Sequence, residues 1–316
     1  MIDSRDRWYL SDDHGTGHRA GASILARRVR FPAEGRKHKK GAPVTHSPLP
    51  ARRDPPPSID TTRANAARIW NYWLGGKDNY PVDRLVGSQI SAAMPEIVDA
   101  ARAERGFLVR TVRHLVTDTG IYQFLDIGTG LPTANNTHEV AQASAPQCRI
   151  VYVNNDPLIL AHARALLTST PEGATDYVDA DPRDPDKILP QAARALDFTQ
   201  PIALMLLGTV EHVLDNNEAY ALANRLMDAL PSGSYLALCS LATEVRSEAI
   251  NKVVHQWNKS VTPTIKARSR QELIRFFDRL ELLEPGVVSA SQWRPEAAER
   301  EAPVEVCKFS GVGRKL

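Results

Sequence analysis

Between Ser58 and Gly120 apolar residues recur at helical spacing, and beyond Gly120 they gather into short strand-length runs separated by helical stretches. Asp60-Thr61-Thr62 can cap a first helix whose Ile69, Trp70, Trp73 and Leu74 share one stripe, and Gly75-Gly76 ends it. A second helix follows Pro81. A third starts near Pro95, carries Ile97, Phe107, Leu108, Val112 and Leu115 on its buried side, and stops at Gly120. Strands are then predicted over Tyr122 to Ile127, Ile150 to Val153, Asp176 to Val178, Ile202 to Leu207 and Ser234 to Cys239. The helices between them run over Thr137 to Ser144, Pro157 to Thr168, Pro185 to Leu196 and Asn216 to Ala229. Such alternation predicts an α/β fold with a parallel sheet covered by helices on both faces. Helices over Glu244 to Trp257 and Arg270 to Leu280 follow, and Leu282 to Val288 with Val304 to Phe309 can form a closing strand pair joined without a helix.

Composition sharpens the domain boundaries. Residues 1–57 mix Arg36, Lys37, Lys39 and Lys40 with many Gly and Pro, end in Pro55-Pro56-Pro57 and show no apolar period, so a disordered basic tail is expected there. Through Asp54 there are 12 Lys or Arg against 6 Asp or Glu, although the whole chain carries only +2. The body is therefore mildly acidic. The tail has few aromatic residues and no folded module behind it, so a nucleic-acid partner is not expected. Residues 58–120 read as a helical preface without a core of its own, and 121–316 as the main domain. No apolar run approaches the roughly 18 residues of a membrane span, and the N-terminus lacks the apolar centre of a signal peptide, which predicts a soluble cytoplasmic protein. Cys148, Cys239 and Cys307 are odd in number and far apart, so neither a disulfide framework nor a zinc site is expected.

The densest candidate chemistry lies in Phe124-Leu125-Asp126-Ile127-Gly128-Thr129-Gly130, a buried strand that ends at an acid and turns through two glycines. Thr133-Ala134-Asn135 can open the following helix. A dinucleotide fingerprint wants a third glycine where Thr133 stands, which disfavours a nicotinamide enzyme. The spacing D-x-G-x-G is instead that by which Rossmann-like methyltransferases hold S-adenosylmethionine. In an open α/β sheet the ligand lies outside the carboxyl ends of the strands. The second strand runs into Asn154-Asn155-Asp156, about 20 residues past the glycines, where an acid grips ribose hydroxyls in such folds. The third runs toward Asp181, placed to accept from an adenine amino group. Asp156 before Pro157 is also a good N-cap, and Asp181-Pro182 a plain turn.

The chain also resembles a family. Ile59-Asp60-Thr61-Thr62-Arg63, Leu74-Gly75-Gly76-Lys77-Asp78-Asn79-Tyr80, Phe124 through Thr133, His138-Glu139-Val140-Ala141-Gln142, Asp156-Pro157 with Ala161-His162-Ala163-Arg164-Ala165, Trp293-Arg294-Pro295 and the closing Gly311-Val312-Gly313-Arg314-Lys315 look like a methyltransferase family common in actinomycetes, long filed as a domain of unknown function. The resemblance runs from about Ser58 to the C-terminus. It implies a Rossmann-like seven-stranded methyltransferase sheet, mostly parallel with one antiparallel strand, and S-adenosylmethionine as cofactor. It implies no substrate. Two residues depart from the family pattern: Asn154, where an acid is usual, and Glu104, near which an asparagine is usual.

Residues ahead of the first strand of such a sheet commonly fold over the cofactor, so 58–120 is expected to form an N-terminal helical lid. Gly75 and Gly76 permit close approach, Lys77 can meet the cofactor carboxylate, Asp78 and Asn79 can bond its amino-acid end, and Tyr72 or Tyr80 can face the sulfonium. Trp70 and Trp73 are expected to pack in the core. The expected cofactor contacts are thus Asp126, Gly128, Thr129, Gly130, Asn154, Asn155, Asp156, Asp181, Tyr72, Gly75, Gly76, Lys77 and Asn79. If the acceptor needs a general base, Glu211 and His212 after the fourth strand are the candidates; His138 and Glu139 more naturally fix their own helix. No Asn-Pro-Pro-Tyr-like motif is present. The expected activity is methyl transfer to a small-molecule acceptor; the alternative is a non-catalytic protein that binds S-adenosylmethionine or S-adenosylhomocysteine.

Overall fold

The order of strand ends determines what a ligand can meet, and in this protein that order is set by a single sheet. The structure is a computed structural model describing residues 59–166, 168–296 and 303–316; the expected basic tail over 1–57 lies outside them. In chain order the elements are β1 (Ala64–Asn65), α1 (Ala66–Trp73), α2 (Pro81–Ala93), α3 (Glu96–Thr117), β2 (Gln123–Ile127), α4 (Thr137–Ser144), β3 (Arg149–Asn154), α5 (Pro157–Leu166), β4 (Ala174–Asp179), α6 (Pro185–Ala192), β5 (Ala203–Leu207), α7 (Asn216–Asp228), β6 (Tyr235–Leu241), α8 (Ser247–Ser260), β7 (Val261–Thr262), α9 (Arg270–Ile274), β8 (Glu281–Leu282), β9 (Val288–Ser289) and β10 (Lys308–Arg314).

The sheet runs β4-β3-β2-β5-β6-β10-β8, with β9 also paired to β10. β2 to β6 are parallel, and β10 is antiparallel to β6, β8 and β9. The expected single antiparallel strand is present. The expected count of seven is not: eight strands form the sheet, because the position before β10 is split into β8 and β9. Pro285, which has no N–H to donate, and Gly286, at φ +85°, interrupt it there.

Side chains alternate across the sheet, as a period of two requires. Phe124, Ile150 and Tyr152 point into one core with α1 to α3 and α8, whereas Leu125, Ile127, Val151 and Val153 point into the other with α6, α7 and α9. The helical preface shares the first of these cores.

The first helix begins later than its capping motif suggested. Asp60 spends its carboxylate on the Thr62 N–H and hydroxyl, and Asn65 caps α1. Asn65 is held there because Asp83 accepts from its N–H at 2.9 Å while also taking the Arg68 guanidinium at 2.8 Å in a buried ion pair. α1 and α2 cross closely at Gly87, whose carbonyl accepts from Trp73 Nε1. Sequence periodicity gave no hint of the two-residue parallel ladder β1–β7, which ties the preface to the segment after α8. Among the described residues no helix is long and apolar enough to cross a membrane.

Candidate functional site

A cavity of about 510 Å³ opens at the carboxyl ends of β2 to β5, bounded on its other side by α1, α3 and Thr262-Pro263. Of the expected residues, Asp126, Gly128, Thr129, Gly130, Asn154, Asn155, Asp156, Asp181 and His212 line it.

The glycine turn is tight for one reason and open for another. At φ +81°, Gly128 sits where a Cβ would come within 2.5 Å of Thr209 Oγ1, and Thr209 is fixed by donating to the Ile127 carbonyl. Gly130 has no atom within 4 Å of where its Cβ would stand. Asp126 is buried beneath the turn and accepts from Thr137 Oγ1 at 2.6 Å. Burial pushes its carboxyl above the ordinary range, and Thr137, Thr129 and Arg105 oppose that. Arg105, on α3, bonds the Ala134 and Asn135 carbonyls. The helix after the turn opens at Thr137, not Thr133, since the Asn136 N–H is taken by Glu139 and Asn136 Oδ1 holds the Thr133 N–H.

Asn154 is committed to the loops. Its amide donates to the Thr129 carbonyl and its oxygen accepts from the Asp156 N–H at 2.9 Å. A carboxylate at this position could not make the first of these bonds. Asp156 does cap α5, through Leu158 N–H at 2.8 Å, and its second oxygen accepts from Asn65 Nδ2 at 3.1 Å, joining preface to sheet. Asp181 is gripped by Arg183 through Nε at 3.0 Å and Nη2 at 2.7 Å, and this contact holds its carboxyl below the usual range.

The glycine-rich stretch after α1 does not reach the cavity. Tyr72, Gly75, Gly76, Lys77 and Asn79 are absent from its lining. Tyr72 pairs with Ser88, Gly75 stops the helix at φ +80°, and a side chain on Gly76 would collide with the Asn71 amide. The loop instead wraps Asn71, whose Oδ1 accepts from the Asp78 N–H and from Asn79 Nδ2. The α1 face that lines the cavity carries Ala67, Trp70, Asn71 and Leu74. Helical spacing contained this signal, because 67, 70, 71 and 74 share a face adjacent to that of Ile69 and Trp73. Trp70, read from sequence as core, is a wall of the site.

The two candidate bases after β5 separate. His212 lines the cavity, with Nδ1 3.0 Å from the Thr264 carbonyl oxygen. Its ring is held below the usual imidazole range by burial. Glu211 does not line the cavity: it is 2% exposed, accepts from the Leu241 N–H at 2.9 Å and pairs with Lys308. Lys308 is fully buried and also lies 2.6 Å from Glu104 Oε2, on the cavity wall, and 4.6 Å from the centre of the Trp70 ring. Burial works against its charge, but the Glu104 and Glu211 carboxylates outweigh it and hold the ammonium above the usual lysine range. Burial pushes Glu211 up, opposed by Lys308. Glu104 is thus anchored by a buried lysine.

S-Adenosylmethionine, expected from the resemblance, fits this donor set. Gly130 leaves room where a side chain would fill the cradle. The buried Thr133 hydroxyl on the cavity wall has no hydrogen-bond partner among the described residues. Carboxylates stand at the ends of β2 and β3 and past β4, and an indole stands opposite.

Residues 52–316 match the family described as S-adenosyl methyltransferase. A crystal structure of a DUF574 family protein from Streptomyces avermitilis is 42% identical, with a TM-score of 0.79, covering 82% of this chain and 100% of that one. A candidate methyltransferase from Thermobifida fusca is 40% identical, with a TM-score of 0.74, covering 83% of this chain and 98% of that one. No curated protein matches the chain. On the extent of the family match, the chain belongs to the S-adenosyl methyltransferase family, and its cofactor is S-adenosylmethionine.

Proposed function

We propose that this protein transfers a methyl group from S-adenosylmethionine to a small-molecule acceptor bound in the same cavity, with His212 as the general base. The cofactor supplies a methyl group activated on a sulfonium. The protein's share is alignment, exclusion of water and removal of the acceptor's proton. Gly128 to Gly130 approach the cofactor between ribose and sulfur, Asn155 lies beside its ribose, Asp156 and Asp181 offer carboxylate acceptors toward ribose and adenine, and Asp126 braces the glycine turn from below. The helical preface acts as a lid through α1, which is tied to the sheet by Asn65 on Asp156.

The observation that carries the reading is the state of His212. A carbonyl accepts only, so the bond to Thr264 places the ring proton on Nδ1 and leaves the Nε2 lone pair. Nε2 has no hydrogen-bond partner among the described residues. Burial disfavours the cation and keeps the ring ready to accept a proton. A hydroxyl or amine acceptor in the cavity would give its proton there as the new bond to the methyl carbon forms. Formation of S-adenosylhomocysteine by the full chain across a panel of small phenols, alcohols and amines tests this, with His212→Ala as the comparison. Acceptor-dependent turnover that His212→Ala depresses supports the assignment; turnover indifferent to it removes His212 from the reaction. Tight cofactor binding without turnover on any acceptor would favour the non-catalytic binding protein.

A further inference from the structure

Glu104 reaches the cavity from α3 as part of a buried cluster that none of the expected cofactor contacts includes. Its side chain is 16% exposed, Lys308 Nζ lies 2.6 Å from its Oε2, and the same ammonium pairs with the buried Glu211. Two carboxyl groups therefore share one ammonium, and Glu104 is the member of the cluster that faces the cavity. Position matters as much as sign. A Cβ on Gly208, just past the end of β5, would stand 3.4 Å from Glu104 Oε1. The neighbouring ends are, in order, β5, β2, β3 and β4. A ligand that sets its adenine past β4 and its ribose at β3 extends its other end over the β2 turn toward β5. Glu104 and the Trp70 ring both line the cavity at that end. The next cation along α3, Arg105, bonds the Ala134 and Asn135 carbonyls and so is engaged at the glycine loop.

We infer that Glu104 is a specificity-determining residue that makes the site prefer the sulfonium cation of S-adenosylmethionine over neutral S-adenosylhomocysteine. The preference would let the spent product leave the cavity in exchange for fresh cofactor. In a site partly closed to water, a carboxylate within a few ångströms of a cation is screened much less than at the surface. The reference is the same ligand without the charge, so contacts to adenine, ribose and the amino-acid end cancel in the ratio of affinities. The inference rests on the proposed placement of the cofactor in this cavity.

Calorimetric titration of the full chain with S-adenosylmethionine, S-adenosylhomocysteine and sinefungin, which carries an amine where the sulfonium stands, tests it without turnover. The wild type should bind both cationic compounds more tightly than S-adenosylhomocysteine by about tenfold. Glu104→Gln, which leaves Lys308 paired with Glu211, should weaken both cationic compounds about tenfold, change S-adenosylhomocysteine by less than about twofold, and so erase the preference. Glu104→Asp keeps the charge and should restore most of it. Equal weakening of all three ligands in Glu104→Gln would make Glu104 a brace only and overturn the inference. A wild type with no preference for the cations would overturn it without recourse to any variant. Failure of the wild type to bind any of the three would remove the cofactor placement itself, and the inference with it.

Discussion

The Nδ1 atom of His212 lies 3.0 Å from the carbonyl oxygen of Thr264, a residue contributed by the segment between β7 and α9. That one bond fixes the tautomer, turns the second ring nitrogen into an acceptor and places it on an element directly after β5. An unperturbed imidazole titrates near 6.5, and burial lowers this one. The basic form therefore persists to lower pH than usual. The acid limb of a kcat profile should fall below about pH 6.5, and His212→Ala should depress kcat by about 10² to 10⁴ while leaving calorimetric affinity for S-adenosylmethionine within about twofold. An acid limb above pH 7, or loss of binding in the variant, contradicts the assignment.

Gly128 and Gly130 should respond to the same substitution in opposite ways. Gly128→Ala forces a side chain to φ +81° and against Thr209, at a cost of about 1–3 kcal/mol, which thermal unfolding will register. Gly130→Ala meets no protein atom, so its stability should stay within about 0.5 kcal/mol of wild type while its cofactor affinity falls. A variant at 130 that binds normally would show that the cradle lies elsewhere.

Asp126→Ala should abolish cofactor binding, since it removes the acceptor that holds Thr137 beneath the glycine turn. Calorimetry is the measure, and an unchanged dissociation constant would show that the turn holds its shape without the acid.

Asn154→Asp, nearly equal in size, should destabilise. The carboxylate cannot donate to the Thr129 carbonyl and is set against it. A lost hydrogen bond with a carbonyl left facing an acceptor costs about 1–3 kcal/mol, so the melting temperature should fall. A rise would mean that the loop rearranges around the acid.

Much of this fold can be read in the chain because strand and helix periods alternate cleanly after Gly120. Thr137–Ser144 and the strand cores at Leu125, Val151 and Leu204 lie where the apolar pattern puts them. Tertiary pairings were harder to read. Two-residue strands such as β1 and β7 have too few positions to show a period, and the break between β8 and β9 depends on both pairing to β10. In the site, residues on the D-x-G-x-G turn and at strand ends were legible because topology dictates where strand ends point. The preface was not, because a glycine pair looks the same whether it cradles a ligand or folds over Asn71. Glu211 illustrates the same limit: its partner Lys308 lies far along the chain, and only the antiparallel pairing of β10 with β6 brings them together.

The arrangement of strand ends, α1 and His212 around one cavity is tested most directly by a co-crystal structure of the full chain with S-adenosylhomocysteine. The expected result is adenine toward Asp181, ribose toward Asp156, and the link from ribose to sulfur passing over Gly128 to Gly130, with the sulfur toward Glu104 and His212. The ligand lodged elsewhere, or bound with its sulfur toward β4, would contradict it.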